Sequence, residues 1–175
     1  MDIAELINKI NHAVPGAVLE KTRFGRTSRT AVWIEARALP EVAAFLHSGG
    51  GPALDWLENL SVMQMDETLV ATYFLRSSQK PDRELIVRVS VAIPGLNRDV
   101  VFPSVSSTWP MARAFEVEAG ELFGIRFNDR QGARTHQPYQ LLPEGWTGFP
   151  LRKTYMFPTE FLGIAHSRKA PVERQ

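Results

Sequence analysis

Apolar and polar positions along this chain follow two periods, and their order predicts the architecture. Ile3, Leu6, Ile7 and Ile10 recur at helical spacing behind Asp2, a residue that can accept bonds from the first free amides, so a first helix is expected to end before Pro15-Gly16. Ala17 to Phe24 and Arg29 to Ala36 read as two strands joined by a turn centred on Gly25. Pro40 near its start and Gly49 after its end bracket a second helix, with Leu39, Val42, Ala43 and Leu46 facing inward. Leu57 to Met65 and Thr68 to Arg76 flank Asp66-Glu67, the pattern of a hairpin. Glu84 to Ile93 alternates most cleanly, with Leu85, Val87, Val89 and Val91 on one side and Ile86, Arg88 and Ser90 on the other. The Ser77 to Arg83 connection, which contains Pro81, reads as a solvent-exposed loop.

Helix, two strands, helix and three strands predict an α+β fold: a two-layer domain whose mixed or antiparallel sheet is covered by helices on one face. Pro94-Gly95 to Pro103 then reads as a connection into a third helix. Ser107 or Thr108 is its expected cap and Pro110 lies in its first turn. Ala112, Phe115, Ala119 and Leu122 form its apolar stripe, and Gly124 is its left-handed stop.

After Ile125-Arg126-Phe127 the periodicity ends. Residues 128–175 hold Pro138, Pro143, Pro150, Pro158 and Pro171, yet also Tyr139, Trp146, Phe149, Tyr155, Phe157 and Phe161. Disordered chains are poor in such aromatics, so an extended segment carrying them needs a surface to lie on. The reading is a body over residues 1–127 and an extended C-terminal arm over 128–175 that wraps a partner subunit.

Composition narrows the chemistry. With 44% apolar and 22% charged residues the chain is an ordinary globular protein of one domain by length. A net charge of +1 gives no field for nucleic acid, and no apolar run approaches the roughly 20 residues of a membrane span. Cysteine is absent, so the chain offers no disulfide and no cysteine ligand for an iron–sulfur cluster. His12, His47, His136 and His166 are scattered without ligand spacing. The first residues lack a targeting pattern, which suggests a cytosolic or organelle-matrix location. Gly49-Gly50-Gly51-Pro52 lacks the following Lys-Ser/Thr of a phosphate loop, and Lys21, Arg23, Arg26 and Arg29 read as a solvated hairpin tip.

Glu116, Glu118 and Glu121 invite an acid/base reading, but that chemistry needs a second carboxylate across a cleft, and no second wall is visible. The plain reading is a solvated face. The helix macrodipole disfavours anions near this C-terminus, and Glu118 and Glu121 are like charges at i, i+3, but each effect is only a few tenths of a kcal/mol and neither decides alone.

Around this helix the residues become specific. Glu116, Glu118 and Glu121 are followed by Phe123-Gly124-Ile125, Phe127, Leu142-Pro143, Trp146, Gly148, Pro150-Leu151-Arg152-Lys153 and Tyr155. This run resembles the 30-kDa subunit family of respiratory complex I, the C-type subunits of NADH-quinone oxidoreductases, whose relatives occur in membrane-bound hydrogenases and photosynthetic complexes. Val117 and Thr154 depart from the family's arginine and aspartate, and Asn128 to Pro138 is longer than its short turn.

The resemblance implies a non-catalytic scaffold in the peripheral arm of a proton-translocating NADH:quinone oxidoreductase. That scaffold would dock on a 49-kDa-type subunit beside the quinone site, on the cytoplasmic face of the inner membrane or the matrix or stromal side of an organelle. FMN and iron–sulfur clusters would sit in partner subunits, with no cofactor here. The implied interface is Glu116, Glu118, Glu121, Phe123, Trp146, Pro150, Leu151, Arg152 and Lys153. The alternatives are the same scaffold in a membrane-bound hydrogenase and a free-standing enzyme using Glu116 and Glu118.

Overall fold

A computed structural model describes residues 2–25, 29–48, 51–80, 82–94, 100–129, 132 and 141–165. The expected turn residue Arg26, Gly49-Gly50, Pro81, Gly95, His136, His166 and most of the 128–138 stretch lie outside the described residues. Among the described residues no helix is long and apolar enough to cross a membrane.

Helix α1 (Ile3–Ala13) starts as its sequence requires: Asp2 Oδ1 accepts from the Ala4 amide at 2.9 Å. Its inward residues Leu6 and Ile10 are buried, while Glu5 and Lys9 pair one turn apart on the wet side. Strands β1 (Val18–Arg23) and β2 (Thr30–Ile34) pair antiparallel. A short 3-10 turn, Ala36–Ala38, leads into α2 (Leu39–His47), which buries Leu39, Val42, Ala43 and Leu46. Strands β3 (Trp56–Met65), β4 (Thr68–Arg76) and β5 (Glu84–Ala92) follow as an antiparallel meander. Asp66 sits at φ 47° in the β3–β4 turn, a left-handed position that Asp tolerates better than most residues.

The chain is α+β. Its five-stranded sheet runs β1-β2-β5-β4-β3, and it is mixed because β2 meets β5 in parallel, Val32 opposite Val87. The meander therefore turns back so that β5 fills the place beside β2. Leu69, Ala71, Tyr73 and Leu75 of β4 face the helices with Val32, Ile34, Val87 and Val89. The described core holds no residue beyond Phe127.

Two short strands were not visible in the periodicity. β6 (Val100–Pro103) and β7 (Ile125–Asn128) pair in parallel on either side of helix α3 (Ala112–Phe123), a small βαβ unit. Its register sets Phe102 beside Phe127, both buried, with ring centres 6.0 Å apart. The expected cap at Ser107 or Thr108 is corrected: α3 begins at Ala112 after a series of turns, with no side-chain cap. Trp109 is the physical reason. Its buried indole donates to the Leu54 carbonyl at 3.0 Å, which holds residues 105–111 against the body before the helix can start.

Tyr73 is 1% exposed, and its hydroxyl has no hydrogen-bond partner among the described residues. Burial, and to a lesser degree the Glu116 carboxylate, raise this phenol well above the usual tyrosine range. Because the folded state holds the neutral form more tightly than the unfolded chain does, the associated stability is intact below about pH 10 and is lost as pH rises beyond it. Tyr73→Phe should leave urea stability at pH 7 unchanged or raised by up to about 1 kcal/mol, and should flatten the alkaline loss. Urea melts at pH 7 and above pH 10 check both signs.

Candidate functional site

The three glutamates of α3 play three different roles. Glu116 is 1% exposed. Its Oε2 accepts from Ser104 Oγ at 2.7 Å and its Oε1 from the Val105 amide at 2.9 Å, so the carboxylate ties the end of β6 to the helix. A carboxylate so enclosed is out of reach of a substrate, and it binds a hydroxyl and an amide of this chain. In this chain Glu116 therefore faces the interior, away from solvent. The sequence carried the signal: Glu116 lies four residues after Ala112 and three before Ala119, inside the apolar stripe. Val117, where the family pattern has arginine, is buried as well, at 6% exposure.

Glu121 is also buried, at 7% exposure, and faces the arm. Its Oε2 accepts from the amides of Leu141 and Leu142 at 2.7 and 2.8 Å. These amides supply the charge-assisted bonds that an anion near a helix C-terminus lacks from its own helix. Glu118 alone is exposed. It lines a groove between α3 and β3 with Leu60, Val62, Phe115, Leu122 and Leu151.

The last turn of α3 leaves carbonyls unsatisfied, and the arm supplies their donors. The Leu151 amide donates to the Leu122 carbonyl at 3.0 Å, and Arg152 Nε donates to the Phe123 carbonyl. The Lys153 amide donates to Gln64 Oε1 at 2.9 Å, which fastens the arm to the end of β3. Arg152 therefore places its cation where the helix macrodipole favours one, and partial burial draws its guanidinium below the ordinary arginine range. Gly124 ends the helix at φ 66°, and a Cβ there would lie 2.4 Å from the Phe149 ring, so glycine meets both a conformational and a steric need.

Beyond this clasp the arm builds a small aromatic cluster of its own. Trp146 lies 5.8 Å from Phe157 and 5.0 Å from Phe161, and Tyr155 lies 6.3 Å from Phe157, centre to centre. A short hairpin, β8 (Glu160–Phe161) and β9 (Ile164–Ala165), turns through Leu162 and Gly163. The cluster does not bury the rest of the arm. Seven of the twelve exposed large apolar side chains among the described residues fall within 141–164, including Met156 at 88%, Leu162 at 77% and Ile164 at 66%. Large exposed apolar patches are unusual on isolated monomers.

Of the residues singled out from the sequence, the structure gathers Glu121, Phe123, Leu151, Arg152 and Lys153 at the α3–arm junction. It sets Trp146 in the aromatic cluster and Glu118 in the groove, and it takes Glu116 into the interior. Pro150 lies within the arm, between Phe149 and Leu151. The hairpin that exposes Leu162 and Ile164 was not predicted, because a two-residue strand has no readable period.

Comparison with known proteins identifies the family of this chain. The model of the family described as respiratory-chain NADH dehydrogenase, 30 Kd subunit, matches residues 32–160. The C-type subunit of NADH-quinone oxidoreductase from Roseiflexus sp. (strain RS-1) is 28% identical over 87% of this chain and 83% of its own length. The C/D-type subunit of the same enzyme from Edwardsiella ictaluri is 29% identical over 74% of this chain, and the alignment spans only 22% of that relative. Among solved structures, the trypsin-resistant fragment of Nqo5 shares the fold with a TM-score of 0.54 at 19% identity, over 73% of this chain and 96% of the fragment. A chain of the membrane-bound sulfane sulfur reductase, an archaeal respiratory membrane complex, aligns with a TM-score of 0.56 at 15% identity, over 81% of this chain and 78% of that one.

Proposed function

We propose that this chain, which belongs to the 30-kDa subunit family of the respiratory-chain NADH dehydrogenase, is a non-catalytic scaffold of a complex-I-like NADH:quinone oxidoreductase. It docks through its 141–164 arm on a 49-kDa-type large subunit near the quinone site. FMN and iron–sulfur clusters belong to partner subunits in this reading, and this chain holds none. The complex lies peripherally on the cytoplasmic face of the inner membrane, or on the matrix or stromal side in an organelle, and couples electron transfer to proton translocation.

The observation that carries the reading is the arm itself, fixed in place by Glu121 and by the carbonyls of Leu122 and Phe123 while Met156, Leu162 and Ile164 stay exposed. Relatives of the C/D type support a C-type unit working beside a D-type one. Glu118, exposed in its groove, supplies a carboxylate for a basic group of the partner. Buried Trp146 Nε1 and Tyr155 Oη lack acceptors among the described residues and gain them where a partner closes over the cluster. The same scaffold suits a hydrogenase-type complex, with which it shares the demand for a docking arm. In either complex the partner subunits set the electron donor and acceptor.

The test replaces Met156 and Leu162 together by aspartate. Leu162 sits at φ 50°, a conformation that Asp tolerates, so the fold should be spared. The melt should shift by no more than about 0.5 kcal/mol in stability, whereas affinity for the large subunit should fall by about 3 kcal/mol or more, read by titration calorimetry. Unchanged affinity would reject the arm as the docking element.

A further inference from the structure

The sheet face turned away from the helices carries a built cluster that the arm does not use. Its middle row, read across β2, β5, β4 and β3, is Trp33, Arg88, Thr72 and Ser61. Trp33 is held by its indole N–H, which donates to Thr22 Oγ1 at 3.0 Å. The Arg88 guanidinium lies over that indole, 4.3 Å from the ring centre, and its Nη2 approaches the sulfurs of Met63 and Met65 at 3.8 Å each.

Thioethers are weak acceptors, and the buried Nε of Arg88 has none among the described residues. Arg29 and Arg76, toward one end of the sheet, pair with Glu84 and Glu58. Arg88 forms no such pair within the described chain, though burial already draws its guanidinium below the ordinary arginine range. A partly buried cation stacked on tryptophan and flanked by methionines that are 48% and 45% exposed is suited to receive a carboxylate. Trp, Arg and Met are also residue types enriched where proteins meet.

We infer that this face is a second docking surface, occupied by a segment of a neighbouring protein subunit that sets a carboxylate on Arg88 and apolar side chains on Trp33, Met63 and Met65. The proposal rests on the reading that the chain works inside a multi-subunit complex. A hydrated inorganic anion suits the place poorly. Indole and thioether groups offer nothing to replace its water, whereas a side-chain carboxylate arrives with apolar cover of its own.

The chain's own methionines test this. Hydrogen peroxide oxidation is followed residue by residue by peptide mass spectrometry, in the isolated chain and in the chain purified within its complex. Exposed thioethers oxidise readily, so in the complex Met63 and Met65 should slow by about fivefold or more, as Met156 on the arm should. Arg88→Glu should restore fast oxidation of Met63 and Met65 while leaving Met156 protected. Arg88→Gln, which removes the charge without reversing it, should act in the same direction and serves where the reversal blocks assembly. Met63 and Met65 oxidising as fast in the complex as in the free chain, with Met156 protected, would overturn the second surface and leave the arm reading intact. Protection that survives both Arg88 variants would overturn the carboxylate. Protected Met63 and Met65 beside a freely oxidised Met156 would support this surface and count against the arm.

Discussion

Replacing Glu116 with alanine is expected to lower the stability of the isolated chain by about 3 kcal/mol, and its melting temperature by roughly 6–12 °C. The carboxylate is the acceptor for Ser104 Oγ and the Val105 amide, in a place with 1% exposure where water does not substitute. Truncation leaves a buried amide and a buried hydroxyl without this partner and opens a cavity between α3 and β6, and each of these effects is destabilising. Glu118→Ala, on the exposed side of the same helix, should move stability by no more than about 0.5 kcal/mol. Paired urea melts of the two variants separate the roles. A Glu116 variant as stable as Glu118→Ala would contradict the buried network. Where a Glu116 variant also lowers the amount of assembled complex, the loss should track its melt, whereas a loss at Glu118 should occur at an unchanged melt.

Much of this architecture could be read from the chain. Asp2 marked the cap of α1, Pro40 the start of α2, and the alternation of residues 84–93 the strand β5, because each signal is local. The misses share a physical cause, which is that their partners are distant in sequence. Val100–Pro103 and Ile125–Asn128 are four residues each, too short for a period to show, and they become strands only because each finds the other across α3. The start of α3 was misplaced because Trp109 answers to Leu54, 55 residues away.

Glu116 carries the same charge as Glu118 and Glu121, but its place on the helix, between Ala112 and Ala119, puts it among apolar residues. The Arg88–Trp33 pair depended on β5 inserting beside β2, which no local pattern announces. The arm was legible from its composition, and its seat was not. Leu151 and Arg152 reach back to Leu122 and Phe123 through main-chain carbonyls, which no side-chain pattern encodes.

The second large effect concerns removal of the arm's outer half. A chain ending at Gly148 keeps every described core residue, since none lies beyond Phe127, and it keeps the Glu121 bonds to Leu141 and Leu142. It loses the Leu151, Arg152 and Lys153 contacts with the body and the Phe149 ring over Gly124, a loss on the order of 2–4 kcal/mol. A core of this extent should still melt cooperatively. The apolar surface lost is the exposed set from Phe149 to Ile164, so the expected damage falls on association.

The direct measurement is the dissociation constant between this chain and the 49-kDa-type subunit proposed as its partner, for the 175-residue chain and for the chain ending at Gly148, with thermal melts of both. The expected result is a cooperative melt in each and an affinity weaker by about a thousandfold or more, near 4 kcal/mol, in the shortened chain. A shortened chain that melts cooperatively and binds within about threefold of the full chain would contradict docking through the arm.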